Sequence, residues 1–373
     1  MKIPWINNAF NFKATYGPFA VENDSDYYED LRVRYSTIIK QAEKAGADRE
    51  SLDIIRRFKK KILEALRSYY KADVAKCNII IRNLVNEVSV NTFAVDELKR
   101  SNAFFGDNKT EIQFFRGRIG NPSNAYEAKD MLHLPHKLRA KSGNYRFSIS
   151  GNPSLYLANS SYGCWVELGM PADNEFNVSP VLLDGTQKVL NLTVSFWDKR
   201  ADYEWSENEQ FWCWIKLCML SMATSYRITE NGRTFKSEYI ISQAIMMACK
   251  KLKFDGLAYC SKRVSSDTFA LPTINLALFV SYNGEYSDIV SHMKMDNAYN
   301  YGMYKQLLSS LDYKNYNLHS VNTGYITKIG SWERQYPYRE TRFYEFDQFM
   351  FASWRDRPCG KGKDQIPFGV PIV

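Results

Sequence analysis

The chain has 373 residues, 45% of them hydrophobic and 24% charged, which excludes a disordered or low-complexity polypeptide and leaves room for more than one domain. Lysine and arginine outnumber aspartate and glutamate by 49 to 41, a net charge of +8. That modest excess suits a small anionic substrate and does not demand nucleic acid. Seven cysteines (Cys77, Cys164, Cys213, Cys218, Cys249, Cys260 and Cys359) form no CxxC pair and no metal spacing, and their odd number points to a reducing, cytoplasmic setting.

The first residues, MKIPWINNAFNFKATYGPF, show neither a continuous apolar run nor a small-residue cleavage site, so no signal peptide is expected. From Tyr28 onward, Leu31, Tyr35, Ile38 and Ala42 recur every three or four residues. Leu52, Ile55, Phe58, Ile62, Leu66 and Tyr69 repeat the pattern, as do Val74, Cys77, Ile81, Leu84 and Val88. This spacing predicts three amphipathic helices, the first two forming an antiparallel pair around Gly46 and an Asp48 cap, in a helical N-terminal region covering residues 1–108. Arg56, Arg57, Lys59, Lys60 and Lys61 flank Phe58 on the second helix and read as a solvated polar face, with a nucleic-acid or membrane-surface patch as the alternative. Gly106, Asp107 and Asn108 mark the connection that follows.

Beyond it the period shortens. Leu190, Leu192, Val194 and Phe196 alternate with polar residues as in a half-buried strand, and Ile274 to Val280 is a continuous apolar run like a central strand. The most apolar segment, Phe211 to Leu220, is too short to span a membrane and is interrupted by Lys216, so a buried helix is expected. Another helix is expected from about Ser237, with Ile240, Ala244, Met247 and Ala248 on one face. Phe343 to Phe351 resembles a strand, and the ending CGKGKDQIPFGVPIV should be irregular. Proline between His133 and His136 argues against a helical metal face. The fold class predicted is α+β, a helical region followed by a mixed sheet.

The stretch from Gly143 to Glu167, GNYRFSISGNPSLYLANSSYGCWVE, has the layout of a site. Arg146 offers a planar five-donor fork suited to phosphate or carboxylate, Tyr156 lies in the apolar strand triplet Leu155-Tyr156-Leu157, and Glu167 follows a helical turn. The segment resembles the centre of the RES domain, a family named for its arginine, glutamate and serine. Upstream, Phe114-Phe115-Arg116-Gly117-Arg118 is similar to the family's opening strand. Downstream, Phe254-Asp255-Gly256-Leu257-Ala258-Tyr259-Cys260-Ser261 is similar to the strand delivering its serine. The resemblance covers roughly residues 110 to 282 and leaves the flanks untouched. It sets a catalytic domain at 109–282 and a C-terminal extension, 283–373, packed on it.

The resemblance implies an NAD-consuming fold related to ADP-ribosylating toxins, whose members split the nicotinamide–ribose bond, in several cases with phosphate as acceptor. It carries over Glu167 as the central catalytic carboxylate, Tyr156 as the ring near the nicotinamide ribose, Arg116 or Arg118 together with Arg146 as dinucleotide-binding arginines, and Ser261 as a polar contact. NAD is then substrate, phosphate a candidate co-substrate, and no resident cofactor or metal is expected. An antitoxin-like regulatory protein is the expected partner, homo-oligomerisation is open, and neither a membrane nor nucleic acid is needed.

The chemistry suits these residue types. Breaking an N-glycosidic bond develops positive charge on the ribose, which a neighbouring carboxylate stabilises, and nicotinamide leaves without needing a general acid. Without the family, an Arg–Glu pair is an ordinary structural ion pair, Tyr156 a packed strand aromatic, Ser261 a turn or cap serine and Arg118 a solvated surface cation. Gln243 and Asn275 are candidates to orient site groups, with core-edge roles as the alternative. Two other functions fit parts of the pattern: ADP-ribosyl transfer to a protein or nucleic acid, and a non-catalytic nucleic-acid-binding module using the basic helix.

Overall fold

The computed structural model describes residues 5–10, 17–21, 26–91, 94–97, 112–121, 123–193, 208–230, 232–263, 273–310, 328–330 and 335–355. Its elements run α1 (Tyr27–Lys44), α2 (Arg49–Tyr70), α3 (Val74–Ser89), β1 (Val95–Glu97), β2 (Ile112–Ile119), β3 (Ser154–Ala158), α4 (Ser161–Glu167), β4 (Phe176–Leu183), β5 (Lys188–Asn191), α5 (Asn208–Ala223) and α6 (Ile240–Lys251). There follow β6 (Gly256–Cys260), β7 (Ile274–Phe279), β8 (Met293–Met295), β9 (Tyr299–Asn300), α7 (Tyr301–Ser310), β10 (Lys328–Gly330), β11 (Gln335–Pro337) and α8 (Arg342–Arg355). Helices lead, and parallel and antiparallel strand pairs follow, so the fold is α+β as expected. The chain divides into two compact units that alternate along the sequence: Met1–Asp96, Asn144–Ile149 and Lys188–Lys262 in the first, Glu97–Gly143, Ser150–Gln187 and Arg263–Val373 in the second.

In the first unit, each of the three leading helices starts at an aspartate. Asp26 accepts from the Glu29 N–H at 2.7 Å, Asp48 from Ser51 at 2.8 Å and Asp73 from Lys76 at 3.0 Å, so amides lacking helical partners are satisfied. Gly46, at φ +80°, supplies the left-handed residue between α1 and α2. The buried positions Leu31, Tyr35, Ile38 and Ala42 of α1 and Ile55, Phe58, Ile62 and Leu66 of α2 are the stripes read from the sequence.

The basic run of α2 is largely paired. Arg56 meets Glu43 at 2.6 Å, Arg57 meets Glu87 at 2.6 Å, Lys61 meets Glu64 at 3.0 Å, and Lys59 donates to the Ser36 hydroxyl at 2.7 Å. Each such surface pair contributes at most about 1 kcal/mol. Together they spread the charge over acidic neighbours, which favours the solvated-face reading.

The apolar segment around Trp214 is helix α5, buried on most of its surface, and Lys216 escapes to Glu87 at 2.9 Å. Among the described residues no helix is long and apolar enough to cross a membrane. Two phenols of α1 close the far end of α5: Tyr35 Oη donates to the Met219 carbonyl at 2.6 Å and Tyr27 Oη to that of Ala223 at 2.7 Å. β5 and β6 pair in parallel, Val189 opposite Gly256 and Asn191 opposite Ala258.

The second unit is antiparallel. β2 runs beside β4 from Ile112↔Leu183 to Ile119↔Phe176, and β3 beside β7 from Ser154↔Phe279 to Ala158↔Asn275. β2 and β3 are in register at one pair, Phe115↔Ala158. Phe115, Ala158, Cys164, Val178, Phe346 and Met350 share a buried cluster, so α4 and α8 cover this face of the strands. The approach of α4 depends on Gly117, where a Cβ would come within 2.8 Å of the Cys164 Cβ and 3.0 Å of Leu168 Cδ1.

The segment Phe343 to Phe351 is helical, not a strand. Its fully buried residues Phe346, Asp347, Met350 and Phe351 fall one turn apart on one face, and this period of 3.6 outweighs the β-propensity of its aromatics. The polar stretch before it also holds order that periodicity gave little sign of, namely β8, β9 and α7. The expected connection at Gly106–Asn108, the continuation of a strand through Val194 and Phe196, and the irregular tail lie outside the described residues.

Candidate functional site

In the second unit, β3 ends at Ala158 and the chain turns sharply into α4. The Asn159 N–H donates to the Ile274 carbonyl at 3.0 Å and its Oδ1 accepts from the Ile274 N–H at 3.2 Å, tying the turn to β7. Ser160 caps α4, its hydroxyl accepting from the Gly163 N–H at 2.9 Å. The last residue of this two-turn helix is Glu167, half-buried. Its Oε1 accepts from Asn275 Nδ2 at 2.5 Å. Asn275 lies opposite Ala158 and Tyr156 opposite Ala277, so Tyr156 and Asn275 share the face of the strands on which Ala158 and Phe115 meet α4.

Arg116 and Arg118 project from β2 toward the short helical turn Ala128–Met131. Arg116 Nε donates to the Met131 carbonyl at 3.2 Å and its Nη1 to the Tyr156 carbonyl at 2.8 Å, while Arg118 Nη1 donates to the Asp130 carbonyl at 2.6 Å. Arg118 is exposed, with its guanidinium 5.0 Å from the centroid of the Tyr126 ring. The Arg116 and Glu167 charges are both felt at Cys164. The Cys164 thiol, one turn before Glu167, is pushed up to about 12, chiefly by burial; Arg116 pulls it down while Asp347 and Glu167 push it further up. The Arg116 charge also adds to the burial that lowers His133, although the bond to Leu134 opposes both. His133 Nε2 accepts from the Ser287 N–H at 3.2 Å.

Arg146 and Ser261 belong to the first unit. The loop carrying Arg146 is pinned by Gln243 on α6, whose Nε2 donates to Asn144 Oδ1 at 2.6 Å and to the Tyr145 and Ser148 carbonyls at 3.0 and 3.1 Å. Phe147 packs on Tyr259 of β6 with ring centroids 4.8 Å apart, which sets the loop beside the strand that delivers the buried Ser261. Arg146 donates through Nη1 to the Thr224 carbonyl and through Nη2 to the Tyr226 carbonyl, each at 2.5 Å, and lies 5.2 Å from the Tyr239 ring. Its fork thus caps the chain leaving α5, where the helix dipole favours a cation. Arg146→Ala is therefore expected to lower stability by about 1–3 kcal/mol in chemical denaturation, because two carbonyls lose a charged donor. Unchanged stability with a raised KM for NAD would instead identify a phosphate fork.

The six candidates accordingly form two groups, with Arg116, Arg118, Tyr156 and Glu167 on the second unit and Arg146 and Ser261 on the first. No protein-family model matches the chain. It is 30% identical over 187 residues to the Bacillus subtilis (strain 168) protein named "Putative toxin YopC", a match covering 46% of this chain and 40% of YopC. The two are distant homologues over that span. Among solved structures, the crystal structure of the M.tuberculosis MbcT–MbcA toxin–antitoxin complex aligns over 61% of this chain and 97% of that one, with 13% identity and a TM-score of 0.30, below the level of a shared fold.

Two further residues of the second unit bear on the Glu167 helix. Asn275 is the polar interruption of an apolar strand, and that interruption is its signal in the sequence. Asp347 of α8 gave none, standing in a run of aromatics. It is fully buried at the amino end of α4, accepting from the Ser161 N–H at 3.1 Å through Oδ1 and from Tyr338 Oη at 2.7 Å through Oδ2. Burial pushes its carboxyl up to about 7 against the pull of these two bonds.

Proposed function

We propose that this chain degrades NAD by breaking the nicotinamide–ribose bond, with phosphate or water as acceptor. The observation that carries the reading is Glu167, a half-buried carboxylate at the end of a capped helix, held by a buried amide on the Tyr156 face. As the bond to nicotinamide lengthens, positive charge spreads over the ribose C1′ and ring oxygen, and a fixed carboxylate stabilises it more than it stabilises the ground state. Oε1 is occupied by Asn275, so Oε2 is the oxygen turned to the substrate in this reading. Nicotinamide departs as a neutral base, and the acceptor oxygen then bonds to C1′.

The remaining roles follow from charge and shape. The Tyr156 ring packs against nicotinamide or its ribose and excludes water, Arg116 supplies positive charge for the dinucleotide phosphates, and exposed Arg118 draws in an anion. The Arg, Arg, Tyr, Glu, Ser order of the RES domain supports these assignments, and homology to YopC supports a toxin role, since NAD loss halts growth. The partner this reading implies is an antitoxin-like regulatory protein that restrains the toxin.

The test is incubation of the purified chain with NAD, with and without phosphate, and identification of products by mass. ADP-ribose phosphate formed only with phosphate identifies phosphorolysis, and free ADP-ribose identifies hydrolysis. ADP-ribose attached to a protein or nucleic acid identifies transfer. Intact NAD under all conditions overturns the reading.

A further inference from the structure

Asn275 is 2% exposed, and the rest of β7, Ile274, Leu276, Ala277, Leu278 and Phe279, is apolar. A primary amide brings two donors on nitrogen and an acceptor oxygen, and burial demands partners for both ends. Nδ2 is bonded to Glu167, whereas Oδ1 has no partner among the described residues. An orphaned acceptor of this kind costs about 1–3 kcal/mol, a cost that an apolar residue at position 275 would avoid. Functional sites keep such atoms because a ligand completes them.

The chemistry of the ligand can be read from the atoms around the orphan. Asn275 Oδ1 accepts, and so does Glu167 Oε2, while one of the two Nδ2 hydrogens is spent on Oε1. The pair therefore presents two acceptors. The two acceptor oxygens disfavour a phosphate or carboxylate there, and a group carrying two donors fits. We infer that Asn275 reads the substrate as well as holding Glu167, its Oδ1 accepting from one hydroxyl of a ribosyl vicinal diol whose other hydroxyl bonds Glu167. This rests on the NAD reading and adds the group recognised at that carboxylate.

The test compares kcat/KM for NAD with that for the analogue lacking the 2′-hydroxyl of the nicotinamide ribose, in wild type, Asn275→Ala and Asn275→Asp. The difference in intrinsic bond lability is the same for every variant and cancels. The preference for NAD should collapse by about tenfold or more in Asn275→Ala, as expected for one hydrogen bond to a buried acceptor. Asn275→Asp should retain the preference at a lower kcat, because it keeps an acceptor and loses the donor to Glu167. Asn275→Val, which also lacks an acceptor and suits a buried strand, serves in place of alanine if that variant does not fold. A preference unchanged in a folded Asn275→Ala enzyme of reduced kcat makes Asn275 a positioning residue only and overturns the inference, while the NAD reading stands. A wild type that leaves NAD intact removes both.

Discussion

Glu167→Gln should slow nicotinamide release from NAD by on the order of 10³-fold while the protein keeps its fold. In the proposed reading the substitution removes the carboxylate that stabilises the ribose as it becomes cationic, and charge stabilisation of this kind supplies factors of about 10²–10³ per group. Glutamine keeps the length of the side chain and an oxygen for Asn275 Nδ2, so α4 and β7 retain their contact. The loss should fall on kcat far more than on KM, since the interaction strengthens in the transition state. A folded variant with wild-type kcat would remove Glu167 from the chemistry.

Asp347 should give the protein a pH-dependent stability that Asp347→Asn lacks. Its carboxyl titrates near 7 in the folded chain and at the ordinary aspartate value when unfolded, so between about 4 and 7 the unfolded state binds fewer protons. Stability from this group is therefore fully present below about 4, falls as pH rises to about 7, and changes no further above it. The full effect is on the order of 4 kcal/mol. The groups facing Asp347 are Ser161 and Cys164 of α4, Tyr338, and Tyr301 of α7. Tyr301 and Tyr338 are pushed well above neutrality, mainly by burial, and Cys164 to about 12, so none of the three titrates in this window.

His133, buried and lowered, contributes with the opposite sign, losing stability as pH falls below its unfolded value. The informative quantity is thus the difference between wild type and Asp347→Asn in chemical denaturation from pH 4.5 to 8. The variant should gain on the wild type as pH rises across that range. A difference independent of pH would show that the carboxyl is ionised throughout.

What the sequence could and could not reveal follows from the range of the forces involved. The stripes of α1, α2 and α3 and the apolar run of β7 were legible because burial repeats with the local period, and the aspartate caps act within three residues. Helix α8 was misread because its aromatics favour strand locally, whereas packing on Phe115 and Cys164 decides its conformation. Glu167, Tyr156 and Arg116 stood out through their order along the chain. The partnership of Glu167 with Asn275 depends on strand register across more than a hundred residues, and that of Asp347 with Ser161 on tertiary burial; neither leaves a local trace. Arg146 shows the same limit from the other side. A guanidinium that caps carbonyls and one that binds phosphate are the same letter.

The central claim is tested most directly by nicotinamide released from NAD by the purified wild-type chain in phosphate buffer, beside folded Glu167→Gln under the same conditions. The account predicts steady release by the wild type and almost none by the variant. Equal release by both, or none by a folded wild type, would contradict it.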